Sequence, residues 1–340
     1  MSFQHVGNYN GGVITMPGSG MATMDAATGT ATGGAFLVSE LEKRDPLIRE
    51  PLSSVTYPRD IEIDVGGGWA DYVSAMAVSY GLTGGSSDSP VTAGGANAVP
   101  VVQANVDKGV FKAHVYSVAL RIMYQDMQRA NYIGRSLDSL LTDGVRLAYD
   151  HHMDENVYVG IAGYGTTGLV NDAGVTASTV ATGSGGYTTW ASKTPAEILY
   201  DVNDAITDAW AAAGYDLAAI PNHILLPYEQ YTYIMNTPVS SLATETILDF
   251  ILKNNVSTKN GGDLFVGGVK WCKGAGASST DRMVVYCNHR RFVKVDELQP
   301  LTRAMFLANA TQFCYDTTYA ANISQTQIMY SETMLYRDGI

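Results

Sequence analysis

GRSLDSLLTDGVRLAYDHHMDENVYVGIAGYGTTGLVN, residues 134–171, decides the fold. Gly134 breaks the preceding segment, Ser136 is a good N-cap, and Asp138 sets a carboxylate at the positive end of the helix dipole. Leu137, Leu141, Val145, Ala148 and His152 follow at helical spacing, and Leu140 and Leu147 widen that stripe. Asp138, Asp143, Arg146, Asp150, Asp154 and Glu155 form the polar face, and Gly160 supplies the stop. The spacing predicts one long amphipathic helix over 136–159. At ~1.5 Å per residue it is a rod of roughly 35 Å, about twice an average globular helix. No catalytic constellation accompanies it, which points to work done by shape.

The rest of the 340-residue chain fits that reading. Hydrophobic residues at 46% support a substantial core, while charged residues at 16% fall well below the usual ~25%. A surface this poor in charge favours extensive subunit contact. The net charge of −12 argues against nucleic acid as a direct partner. Cys272, Cys287 and Cys314 are odd in number and lack CxxC spacing, as expected of reduced thiols in a cytosol. The first 42 residues lack the basic start and apolar run of a signal peptide, and no uncharged apolar run approaches the ~18 residues of a membrane span, so no membrane partner is expected.

Residues 1–34 are rich in Gly, Ala, Thr and Met and read as an extended or disordered arm, followed by a short helix at Phe36–Lys43. Ile61, Ile63 and Val65 alternate with Asp60, Glu62 and Asp64 in a strand pattern. Two strand regions flank the turn-rich GLTGGSSDSPVTAGGANAVP (81–100), which predicts a long β-hairpin projecting from the body. A two-stranded ribbon cannot bury both faces alone, so it must lie on something, such as another copy. A Thr/Gly-rich linker (175–193) leads to a well-capped helix: Thr194 and Glu197 form a capping box with Pro195 at the first position. Its stripe is Ile198, Val202, Ala205, Ile206, Ala209 and Ala213, closed by Gly214. Residues 223–236 read as strand then helix, and 241–255 as a helix. GDLFVGGVKWC (262–272) and DRMVVYCN (281–288) read as paired strands, and the C-terminal FCYDTTYAANISQTQIMYSETMLY (313–336) favours strands.

Motifs that suggest chemistry have plainer readings. GYGTTG (163–168) matches GxGxxG, but a helix precedes it where a dinucleotide site needs a strand, so it reads as a tight turn. His151 and Glu155 share a helix face, but HHMDE is not HExxH and brings no third ligand. Asp60, Glu62 and Asp64 read as a solvent-facing or subunit-facing strand. The 21 tyrosines lack the interleaved basic residues of a nucleic-acid platform. No catalytic, cofactor or metal residue is assigned.

The order of elements resembles the tailed-phage major capsid proteins of the Hong Kong 97 type, an α+β fold also used by encapsulin shells. The resemblance is carried by DPLIREPLSSVTYPRDIEIDVGGGWADY (45–72), by residues 134–160 with GTTGLVN (165–171), and by TPAEILYDVNDAI (194–206) leading to HILLPYEQY (223–231). It implies an N-terminal arm over 1–54 and an extended hairpin loop over 55–110. It further implies a peripheral domain, with its spine helix, over 111–193 and 311–340, and an axial domain over 194–310.

The function implied is a shell tile that assembles with itself as pentamers and hexamers into an icosahedral head in the virion, built in the host cytoplasm around packaged double-stranded DNA. A portal protein at one vertex is an implied partner; scaffolding and decoration proteins are left open, and an encapsulin-type cargo compartment is the alternative. Some relatives cross-link a loop lysine to a neighbour's asparagine, but from Asp60 to Asp107 this chain has no lysine or arginine, so no such link is expected. In its place the loop residues Asp60, Glu62, Asp64, Trp69 and Asp71 are expected to meet a neighbour, with Arg121, Arg129, Arg135 and Arg146 as the basic counterparts.

Overall fold

A computed structural model describes residues 54–83, 101–133, 137–240, 244–309 and 311–340. The expected arm up to residue 53, the helix at Phe36–Lys43, the hairpin tip, Ser136 and Arg135 lie outside the described residues.

The long helix is present as α3, Leu137–Tyr158. It is preceded by α1, a single turn at Tyr57–Asp60, and by α2, Tyr124–Ile133. The buried seam of α3 differs from the expected one. Val145, Tyr149, Met153 and Val157 face the core, Ala148 is exposed and His152 is half-buried. Asp154, expected on the solvated face, is fully buried. The helix sinks as it proceeds, so its last turns are enclosed and even its acid must be satisfied internally. Asp154 accepts from the Thr56 backbone N–H at 2.9 Å and from Trp271 Nε1 at 2.7 Å, and pairs with Lys270 at 3.2 Å.

Two sheets surround this helix end. The first has β1 (Ile63–Val65), β2 (Tyr72–Thr83), β3 (Val101–Met123), β8 (Val293–Asn309) and β9 (Cys314–Ser324) in the order β1-β8-β9-β3-β2, with the short β10 (Gln327–Ile328) also on β8. The second joins β4 (Thr176–Thr179), β5 (His223–Leu226), β6 (Phe265–Gly268), β7 (Arg282–Tyr286) and β11 (Met334–Asp338) in the order β4-β11-β7-β5-β6. Between the parallel β5 and β6 the chain crosses over through α5 (Tyr228–Asn236), α6 (Ile247–Lys253) and α7 (Val256–Lys259), as parallel neighbours require. The helix α4, Pro195–Ala212, carries the expected capping box, and Gly214 follows at φ +68°. Ile198, Val202, Ala205, Ile206 and Ala209 bury against one face of the second sheet. The other face packs with Tyr149, Met153, Val157 and Tyr158 of α3 and with β8 and β9.

Several expectations are corrected. The expected strands at 262–272 and 281–288 are β6 and β7, which do not pair; β5 lies between them. β4 and β11 complete the second sheet, while β8 belongs to the first. The segment 175–193 is not a bare linker. It supplies β4 and the buried Trp190, whose Nε1 donates to Asp201 at 3.0 Å beside the buried Lys193–Asp201 pair. The helix α2 was missed by pattern, since its ten residues follow a long strand without a cap signal.

GYGTTG is the tight turn expected. A Cβ on Gly168 would lie 2.3 Å from the Tyr158 carbonyl carbon, and one on Gly160 (φ +77°) 2.5 Å from the Thr166 oxygen. Asn171 staples this crossing, donating to the Val159 oxygen and accepting from the Gly168 N–H, both at 2.8 Å. Backbone meets backbone, so neither side can yield. Gly168→Ala should destabilise the chain by about 3 kcal/mol, whereas Gly163→Ala, with open space at its Cβ, should stay within ~0.5 kcal/mol of wild type. Asp154→Ala, which strands the Trp271 and Thr56 N–H donors, should also lose about 3 kcal/mol. Chemical denaturation of the three variants checks each value.

Candidate functional site

The projecting ribbon is real and one-sided. β2 pairs antiparallel with β3 from Tyr72 opposite Lys112 to Thr83 opposite Val101. Twelve residues at ~3.3 Å each carry it roughly 40 Å. Side chains alternate between faces, so the register sorts them. Tyr72, Met76, Val78 and Tyr80 of β2 share a face with Val102, Val106 and Val110 of β3. All seven are exposed, Met76 by 73% and Tyr80 by 75%. Between Val73 and Phe111 at its root and Val101 at its far end, the opposite face carries small or polar residues: Ala75, Ala77, Ser79 and Gly81 beside Asn105, Asp107 and Gly109. Large β-branched and aromatic residues concentrated on one face of a ribbon and open to water are what an interaction surface looks like.

The root of the ribbon is firmly held. Asn322 Nδ2 donates to the Gly68 and Ala70 carbonyls at 3.0 and 2.9 Å, and Lys112 Nζ donates to the Tyr164 carbonyl at 3.0 Å. From Ala113 onward β3 leaves β2 and continues as a strand of the first sheet paired with β9. The hairpin is therefore a rigid extension of the first sheet at its base.

A second exposed apolar cluster lies where β8 turns into β9. Met305, Phe306, Leu307 and Phe313 stand in water, and Phe313 packs on Tyr124 at the start of α2. Register shifts in the β8–β9 pairing between Glu297 and Met305 bend this end of the sheet.

The charged residues expected to bridge copies divide in two. Asp60 is withdrawn from that set: it ends the turn α1, is fully buried, and accepts from Arg59 and from the Tyr158 hydroxyl. Burial beside this carboxylate pushes the Tyr158 hydroxyl well above its ordinary range. Asp64 pairs within the chain with Arg290 and Lys294. Arg121 pairs with Asp316 at 2.7 Å, and Arg129 with Asp126 at 3.3 Å. Arg146 is exposed beside Asp150. Among the described residues Glu62, Trp69 and Asp71 stand exposed at the hairpin root, and neither of these two acids has a cationic partner.

The apolar ribbon face was not singled out in the sequence, although its signal was there: Tyr72, Met76, Val78 and Tyr80 fall on even steps, and Val102, Val106 and Val110 match them from the other strand. The three cysteines are free and buried, and burial pushes the Cys287 thiol up to about 11. Among the described residues no cluster of three His, Cys, Asp or Glu side chains could hold a metal ion, and no helix is long and apolar enough to cross a membrane.

Comparison with known proteins agrees with this architecture. Among solved structures, the capsid of Myoviridae phage XM1 superposes with a TM-score of 0.73 at 15% identity, covering 89% of this chain and 98% of that one. The Microbacterium phage Oxtober96 structure gives 0.60 at 12% identity, covering 90% and 98%. The capsid of an empty GTA particle gives 0.62 at 12% identity, covering 92% and 99%. No curated protein sequence matches. At these identities the likeness shows the fold, which is the Hong Kong 97-type α+β fold. The major capsid protein family matches residues 89–340, well over half of the sequence, and the chain belongs to that family.

Proposed function

We propose that this major capsid protein forms the icosahedral head shell of a tailed phage, associating as pentamers and hexamers around packaged double-stranded DNA. The observation that carries this reading is the hairpin's apolar face. Seven large side chains project on a ribbon that the other described residues leave uncovered, so a second copy is the natural partner. Repetition of one heterologous contact around closed rings produces a shell, and many modest contacts make it stable. The second apolar cluster at Met305–Leu307 and Phe313 gives each copy another contact well away from the ribbon. The role is structural rather than enzymatic, since the features that distinguish the chain are surfaces and not a reactive cleft.

The acidic balance suits a container wall. A surface of net charge −12 has no strong counterion-release drive to hold DNA, so the genome is enclosed without base-specific contact. The portal protein at one vertex is the further partner this reading implies, with the assembled shell located in the virion. Glu62, Trp69 and Asp71 at the hairpin root supply polar contacts to a neighbour, secondary to the apolar face.

Negative-stain microscopy and sedimentation of the purified protein test the proposal. Wild type should form closed shells. The double variant Met76→Asp/Tyr80→Asp should keep its far-UV spectrum and melting temperature but sediment as small oligomers. The double variant Glu62→Lys/Asp71→Lys should shift assembly much less. A wild-type chain that stays monomeric or dimeric at every concentration, or shells unaffected by the aspartates, would overturn the reading. Shells run on a denaturing gel without reductant should give a single monomer band, because no lysine lies between Asp60 and Asp107; a ladder would contradict this.

A further inference from the structure

Where β3 leaves the ribbon and enters the first sheet, His114 is buried and meets His152 of α3. The two Nε2 atoms are 3.4 Å apart, with the rings edge-on at 84° and centroids 5.6 Å apart. Aromatic rings close the site on both sides: Tyr116 stacks on His152 at 4.8 Å, and Tyr164 stacks on His114 at 5.7 Å. His114 Nδ1 is buried without a hydrogen-bond partner. The contact joins the hairpin's inner strand directly to the spine helix.

One Nε2 must donate and the other accept. This is satisfied when the pair carries no extra proton, and still satisfied when it carries one. With two, both Nε2 atoms bear hydrogens pointing at each other, and two like charges share a site lined by aromatic rings. The surroundings offer little relief. From α3 come the exposed His151 and Glu155, with Tyr149 behind Tyr116. From β3 comes Lys112, from the turn after the helix Tyr164, and β9 places the uncharged Ile323 opposite His114. Glu155 is the one anion acting on the pair, and it acts on His152.

We propose that the His114–His152 pair is an acid-sensitive latch: it holds the root of the β2–β3 ribbon to the spine helix, and a second proton releases it. Burial, reinforced by the facing His152, pushes His114 down to about 4, and burial lowers His152 as well. The closed form therefore binds fewer protons than the opened one. The latch is at full strength above the ordinary histidine value of 6.5 and weakens as pH falls from there toward 4. For His114 alone, the equilibrium for local opening rises roughly 30-fold between pH 7.5 and pH 5.

Hydrogen exchange of the full-length protein, read by mass spectrometry at pH 7.5 and pH 5 and corrected for the intrinsic rate, tests the latch. Peptides spanning 112–120 and 148–158 should lose protection roughly 30-fold at pH 5, while peptides from α4 hold theirs. H114N should remove most of that loss, and H151Q, which alters the exposed neighbour, should keep it. If H114N does not fold, H114Q makes the same comparison. Wild-type protection that is indifferent to pH, or a His114 variant that loses as much as wild type, would overturn the proposal.

Discussion

The end of the spine helix is enclosed, and the surrounding structure depends on how its polar groups are satisfied there. Asp154 is fully buried and gathers three donors from two distant parts of the chain: Thr56 at the entry to the hairpin, and Lys270 and Trp271 beside the second sheet. One turn further on, Tyr158 donates to Asp60, whose backbone oxygen accepts from Tyr286 of β7. A buried carboxylate without its partners would be expensive, so these bonds fix where each element meets the helix. The glycine crossing at Gly160 and Gly168 then brings the chain back against the helix end with no room for a side chain.

That anchored centre allows the periphery to be extended. A two-stranded ribbon is marginal in water by itself. Here it is rooted by Asn322 and Lys112, and its longer strand continues along β9, so its inner end is ordered without a neighbour. Its apolar face is left for assembly. The exposed acids and bases largely pair within the chain, which leaves shape and apolar area, rather than charge, as the main basis of contact between copies.

Local patterns made much of this legible. The spine helix, the capping box at Thr194, the turn at GYGTTG and the hairpin all follow from periodicity and turn chemistry. What was not legible depends on distant partners. Asp60 and Asp154 read as surface acids because nothing nearby in sequence announces Tyr158, Trp271 or Lys270. The stripe on α3 was placed too far round because Tyr149 and Met153 bury through contacts with the sheets rather than through the pattern of the helix itself. The exchange of β4, β8 and β11 between the two sheets leaves no local trace, since a strand's composition does not name its neighbour.

The placement of β11 governs the order in which the molecule can be completed. Met334–Asp338 lies between β4 and β7, in the interior of a sheet whose other strands are synthesised far earlier. Until those residues leave the ribosome, β7 has an unsatisfied edge, Asp338 cannot meet Arg282, and Arg337 cannot meet Asp204 and Asp208. Chains that stop before Met334 thus lack a finished second sheet, and a lattice of identical tiles gains a built-in check that each was translated through β11.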